Sequence, residues 1–234
     1  MLELKNIWVY YDKIAAVRDL SLTVEQGDFV TILGANGAGK SSTLNAISGV
    51  VKVKKGEIHF RGQKINGLAS AKIAAMGIIQ VPEGRLLFPL LTVKENLILG
   101  AYLINDRSQV KRSMDKALEL FPILKDKLNA KARELSGGQQ QMAAIARGLM
   151  ASPQVLLLDE PSLGLSPLLR QELAEIIKAI SRDGTTVVLV EQNARLGLML
   201  ANYGYVVENG KLSLQGKTSE LFNNEAVKKA YLGV

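Results

Sequence analysis

An α/β fold built on a mostly parallel sheet flanked by helices follows from three observations along the 234-residue chain. From residue 155 onward strand and helix patterns alternate, the arrangement that sets parallel strands side by side under covering helices. The first 65 residues instead show strand-period alternation between tight turns, and residues 97–151 carry apolar residues mainly at helical spacing. A single domain spanning residues 1–234 accounts for all three, with a helical subdomain inserted at about 86–150. No internal repeat, low-complexity tract or Pro/Gly-rich linker divides the chain.

Element by element, Leu20, Leu22 and Val24 alternate with Ser21 and Thr23 as in a strand, and Gln26-Gly27 turns the chain into the apolar strand 29–33. Leu44, Ile47 and Ser48 space a helix over 41–50. Arg61-Gly62 separates strand 57–60 from 63–65. Met114, Ala117, Leu118 and Phe121 share one face of a helix over 110–121, and a further helix is expected over 140–150. Residues 155–158 form a buried strand. Helix 167–182 has Pro167 at its first position and Gly184 beyond its end. Strand 187–190, helix 194–202 and a hairpin of 205–208 with 211–214 around Asn209-Gly210 complete the chain.

Composition narrows the chemistry. With no cysteine, a disulfide framework, a Cys-based zinc site, an iron–sulfur cluster and a Cys nucleophile are excluded. The lone histidine, His59, sits in strand 57–60 outside every motif and reads as structural. The excess of 29 Lys and Arg over 22 Asp and Glu gives a charge of +7, spread over the surface without interleaved aromatics, so no nucleic-acid partner is expected. Neither a leader pattern nor an apolar run of about 18 residues is visible, and a cytoplasmic protein is expected.

Gly34-Ala35-Asn36-Gly37-Ala38-Gly39-Lys40-Ser41 fits G-x-x-x-x-G-K-[ST] between an apolar strand and a helix. The loop's N–H groups and the helix N-terminus suit phosphate oxygens, Lys40 reaches the β- and γ-phosphates, and the Ser41 hydroxyl ligates Mg²⁺. The motif therefore marks a nucleoside triphosphate site, formed by Gly34, Asn36, Gly37, Ala38, Gly39, Lys40, Ser41 and Ser42. Strand 155–158 runs into Asp159-Glu160 at the sheet edge where ligands bind. Asp159 suits the metal shell, and Glu160 suits the orientation and deprotonation of an attacking water. Leu135-Ser136-Gly137-Gly138-Gln139, read as a flexible Gly-rich nest just before helix 140–150, adds a second anion-binding segment.

In this order the three motifs resemble those of ABC-transporter ATPases, and the likeness covers essentially the whole chain. It implies a P-loop NTPase core with an N-terminal antiparallel β-subdomain and the inserted helical one. The resemblance further implies ATP and Mg²⁺ as ligands, and a dimer in which the signature Ser136, Gly137, Gly138 and Gln139 of one subunit acts on ATP held by the other. Tyr11 then falls at the adenine-stacking position, with Tyr10 as its neighbour, and Ser162 of the Pro161–Ser166 stretch at a dimer contact. The usual glutamine between the subdomains is replaced by Glu83, a third Mg²⁺ ligand, and the usual switch histidine by Gln192. Glutamine can hydrogen-bond a phosphate but carries no proton, which leaves the water's proton to Glu160.

Pro82-Glu83-Gly84-Arg85, Phe88-Pro89, Pro161-Ser162-Leu163-Gly164-Leu165 and Val190-Glu191-Gln192-Asn193 together look like the LivF-type ATPases of branched-chain amino-acid uptake. The resemblance implies import of these or related hydrophobic amino acids, driven by dimer closure. Its implied partners are transmembrane permease subunits, a second ATPase subunit (identical or homologous) and, indirectly, a periplasmic or extracellular binding protein, at the inner face of the membrane. ATPases of urea and amide uptake share much of the pattern. Soluble ABC-type ATPases acting on nucleic acid or ribosomes usually carry tandem cassettes or a long coiled-coil insertion. The segment between Lys40 and Ser136 has room for a compact helical subdomain only. The uncharged run Leu86-Leu87-Phe88-Pro89-Leu90-Leu91 reads either as core packing or as a groove for a permease helix.

Overall fold

Leu2, Leu4, Ile7 and Val9 are fully buried along β1 (Leu2–Tyr11), which pairs antiparallel with β2 (Ile14–Val24). The computed structural model describes residues 1–232. After β2 the chain enters β3 (Phe29–Leu33) and α1 (Lys40–Ile47), then returns through β4 (Val53–Phe60), β5 (Gln63–Lys64), α2 (Ser70–Ala75) and β6 (Ile78–Val81). Helices α3 (Val93–Gly100), α4 (Arg107–Leu120) and α5 (Gly137–Leu149) follow. Next come β7 (Val155–Asp159), α6 (Pro167–Arg182), β8 (Thr186–Glu191), α7 (Ala194–Leu200), β9 (Tyr203–Glu208) and β10 (Lys211–Lys217). Short helices α8 (Thr218–Asn223) and α9 (Glu225–Val227) and a π-helical turn close the described chain.

The strands form two sheets. One is antiparallel, in the order β2-β1-β4-β5; the other has six strands in the order β10-β9-β3-β8-β7-β6, parallel except for the hairpin strand β10. The central strands are apolar throughout because both of their faces are covered. Leu156, Leu158, Val187 and Leu189 face the helical layer of α3–α6, while Val155, Leu157, Val188 and Val190 face α1 and the antiparallel sheet. This stacking sets β3, β7 and β8 side by side with their C-terminal ends on one edge, where the phosphate loop and the Asp159-Glu160 pair lie. Tyr205 of β9 fastens the two sheets: its hydroxyl accepts from Thr23 N at 3.2 Å and donates to Thr23 O at 2.5 Å.

Helix 167–182 has the expected bounds, with Ser166 capping Leu169 N. Others shift for local reasons. The helix expected over 41–50 ends at Ile47, because Gly49 takes φ +75° and turns the chain away. That expected over 110–121 starts earlier, at Arg107, where Asp106 caps Ser108 N; apolar spacing registers only from Val110. The signature helix begins at Gly137, not at residue 140. Ser136 and Gln139 form a reciprocal capping box, so the two glycines are its first helical turn and not a loop before it. No helix among the described residues is long and apolar enough to cross a membrane.

Helices α3 and α5 approach so closely that a Cβ on Gly100 would overlap the carbonyl oxygen of Arg147. Backbone cannot yield as a side chain does. Gly100→Ala should therefore destabilise the chain by about 1–3 kcal/mol, read as a lower urea midpoint at unchanged m-value.

Candidate functional site

The phosphate loop leaves β3 and closes on α1. Gly39 takes φ +102°, and a Cβ there would lie 2.5 Å from Ala16 O, so both conformation and space demand glycine. The loop is braced from the β9–β10 turn, where Gly210 N donates to Ala38 O at 2.9 Å and Arg18 N donates to Gly210 O at 2.7 Å. Lys40 is 4% exposed. Its ammonium donates to Gly34 O at 2.9 Å and Ala35 O at 3.2 Å, and meets Glu160 Oε1 at 3.1 Å. A cation so placed is desolvated and held by exchangeable partners, as a phosphate ligand requires.

The two carboxylates end β7. Ser41 Oγ donates to Asp159 Oδ1 at 2.9 Å, joining the loop hydroxyl to the strand acid across 118 residues of sequence. Burial pushes the Asp159 carboxyl above its ordinary range; the Ser41 hydrogen bond opposes that shift, and the charges of Glu160 and Glu83 reinforce it. Glu160 takes φ +46°, an uncommon conformation for a non-glycine residue, fixed by its N–H on Val190 O at 2.9 Å. The strained turn puts its carboxylate beside Lys40.

Ten of the expected residues line one cleft of about 470 Å³: Tyr11, Asn36, Gly37, Gly39, Lys40, Ser41, Ser42, Glu83, Glu160 and Gln192. Gly34 and Ala38 lie within the loop that forms its wall, and Asp159 reaches it through Ser41. Tyr11 is 44% exposed at the rim, whereas Tyr10 stacks on Trp8 with ring centroids 6.2 Å apart. Ser136, Gly137, Gly138 and Gln139 are not among the cleft's lining residues. Neither signature glycine has a positive φ; their role is close approach. A Cβ on Gly138 would lie 2.5 Å from Leu169 Cδ1, and one on Gly137 3.0 Å from the Arg85 guanidinium.

Ser162, expected at a dimer contact, lies inward in the single chain. It is buried, and its N–H donates to Glu191 Oε1 at 3.3 Å, so Leu163, half exposed, takes the outward place in that loop. The run 86–91 divides between its two readings: Leu86, Phe88 and Leu90 are exposed while Leu87 packs on the core. Leu86 and Phe88 line a separate apolar groove of about 780 Å³ with Val50, Leu99 and Tyr102. Asn96, which no sequence pattern singles out, pins the wall of that groove: fully buried, it accepts from Phe88 N at 2.9 Å and donates to the carbonyls of Phe88 and Thr92. His59 is structural, pairing with Glu3 across β1 and β4.

Comparison with known proteins places this geometry. Residues 17–163 match the family described as ABC transporter. The chain is 46% identical, over the full length of both proteins, to the high-affinity branched-chain amino acid transport ATP-binding protein BraG of Pseudomonas aeruginosa. Among solved structures it resembles the ADP conformation of MJ1267, an ATP-binding cassette of an ABC transporter (TM-score 0.87, 27% identity, 100% and 99% of the two chains covered). It also resembles the dimeric MJ0796, a bacterial ABC transporter cassette (TM-score 0.84, 28% identity, 93% and 99% covered). With its phosphate loop and the Asp159-Glu160 pair at one sheet edge, the chain belongs to the ABC transporter family.

Proposed function

We propose that the chain is the ATP-hydrolysing subunit of a membrane transporter that imports branched-chain or related hydrophobic amino acids. The observation that carries this reading is the single cleft that joins Lys40, Ser41, Glu160 and Gln192 under the rim residue Tyr11. The loop amides and Lys40 bind and neutralise the phosphates, and Tyr11 covers the base. Glu160 orients a water and takes its proton, and Gln192 donates a hydrogen bond to the terminal phosphate. The hydroxyl–carboxylate pair Ser41–Asp159, with Glu83 nearby, offers the hard oxygen donors that Mg²⁺ prefers. Mg²⁺ usually binds through one or two carboxylates together with substrate phosphates and water, which suits so small a set of protein donors. When bound, Mg²⁺ supplies positive charge against the phosphates.

The signature, outside its own chain's cleft, serves a nucleotide held by a second ATPase subunit, identical or homologous, as the family resemblance implies. The dimeric relative supports that arrangement. The apolar groove at Leu86 and Phe88 receives a short helix of a permease subunit, so the chain works as a peripheral protein on the inner face of the membrane. An external binding protein delivers the cargo to the permeases. BraG's name supports the cargo class.

ATP-dependent uptake of leucine, isoleucine and valine by cells with and without the chain tests the proposal. Loss of urea or amide uptake instead would reassign the cargo. At the cleft, Tyr11→Ala should weaken ATP binding by about tenfold, the worth of one base–aromatic stack, in a titration with fluorescent nucleotide. Unchanged affinity would remove Tyr11 from the site.

A further inference from the structure

The segment after Glu83 holds an unusual backbone. Gly84, Arg85 and Leu86 take φ of +83°, +66° and +42° in succession, closed by Leu86 N donating to Gly84 O at 2.7 Å. Two consecutive non-glycine residues in the left-handed region are costly and persist only where the surroundings impose them. The consequence is the placement of Arg85. Its guanidinium lies against the bare backbone of Gly137, where a Cβ would stand 3.0 Å from Nη1 and 3.1 Å from Nη2. A Cβ on Gly164, in the loop after Glu160, would be 3.9 Å from Nη2.

Nη1 also donates to Gln140 Oε1 at 3.4 Å, while Gln140 Nε2 holds Ala132 O at 3.3 Å and Leu135 O at 3.2 Å. One side chain thus hydrogen-bonds the residue that braces the approach to Ser136 and stands beside the start of α5 and near the loop behind Glu160. Among the described residues Arg85 has no ion-pair partner. A cation at a helix N-terminus is electrostatically disfavoured, so its position is set by the strained turn and not by charge attraction.

We propose that Arg85 is a positioning residue for the signature helix, tying residues 136–139 to the loop that carries Glu83. Engagement of Glu83 in this subunit's cleft then alters how the signature is presented to the second subunit. The inference rests on the nucleotide-site reading of the cleft and adds a residue that none of the three motifs contains. A methyl on Gly137 would displace the guanidinium by a few tenths of an ångström.

The test uses the full chain, wild type, Arg85→Ala and Arg85→Lys, with ATP turnover, fluorescent-ADP binding and amide hydrogen exchange measured on each. Arg85→Ala should keep its ADP dissociation constant within about twofold of wild type while kcat falls by about tenfold or more, a loss expressed in turnover and not in binding. Arg85→Lys, which keeps the charge but not the planar fork, should recover part of that loss. Nucleotide should slow exchange at residues 34–42 in all three proteins. At residues 136–141 it should slow exchange in the wild type and in Arg85→Lys, but not in Arg85→Ala. Turnover of Arg85→Ala within about twofold of wild type, or an unaltered response at 136–141, overturns the positioning role alone. Absence of protection at 34–42 in the wild type would instead bring down the nucleotide-site reading itself.

Discussion

Glu160→Gln should lower ATP turnover by about 10²–10⁴-fold, the range expected for loss of a general base, without weakening nucleotide binding. Gln192 cannot accept the water's proton and hold charge as an imidazole can, and His59 lies on β4, outside the cleft's lining. Among the described residues no second carboxylate lines the cleft beside Glu160 except Glu83, which the proposed function assigns to Mg²⁺. Binding is preserved because the carboxylate is Lys40's partner at 3.1 Å and competes with an incoming phosphate for that ammonium. The amide keeps the shape and removes the competing charge. Lys40 retains the Gly34 and Ala35 carbonyls and is not left orphaned. Steady-state turnover together with fluorescent-nucleotide titration separates the two effects. A variant retaining most of its activity would return the proton transfer to another group.

The parts of the site legible in the sequence are those fixed by local spacing. Residues 34–41 must curl around phosphates because of glycines three and five positions apart between a strand and a helix, and Asp159-Glu160 end a strand buried on both faces. Nothing distant is needed to place either. Residues whose meaning comes from packing are not legible in this way. Asn96 reads as an ordinary helix residue until its amide is found holding the Phe88 backbone. Ser162 is placed at a dimer contact by the resemblance alone, and only the fold shows its N–H donating to the buried Glu191. The signature glycines suggest flexibility, whereas in the fold they are helical and the side chains of Arg85 and Leu169 close on them. Two helices start earlier than apolar spacing implies because a polar cap lies well ahead of the first spaced apolar residue, at Asp106 and Ser136.

Glu191 gives the second large expectation. It ends β8, is 2% exposed, and burial pushes its carboxyl from the ordinary value of 4.5 up to about 7. The nearby charge of Glu160 adds to the rise, while hydrogen bonds from Ser162 and Asn193 oppose it. In the unfolded chain the group ionises near its ordinary value, so between about pH 4.5 and 7 the folded state binds more protons than the unfolded one. Stability from this group is therefore fully present below pH 4.5 and is lost as pH rises to about 7. The loss is of the order of 3 kcal/mol, at about 1.4 kcal/mol for each tenfold change in proton affinity. Glu191→Gln removes this titration and leaves a carbonyl oxygen to accept from Ser162 N. At pH 8 the variant should then be the more stable protein by roughly that amount, with an advantage that shrinks steadily toward pH 5. Carboxylates away from this site titrate equally in both proteins and cancel from the difference. Urea unfolding of the pair at several pH values reads that difference directly. A stability gap that stays flat from pH 5 to pH 8 would mean that Glu191 titrates alike in both states and that burial does not hold its proton.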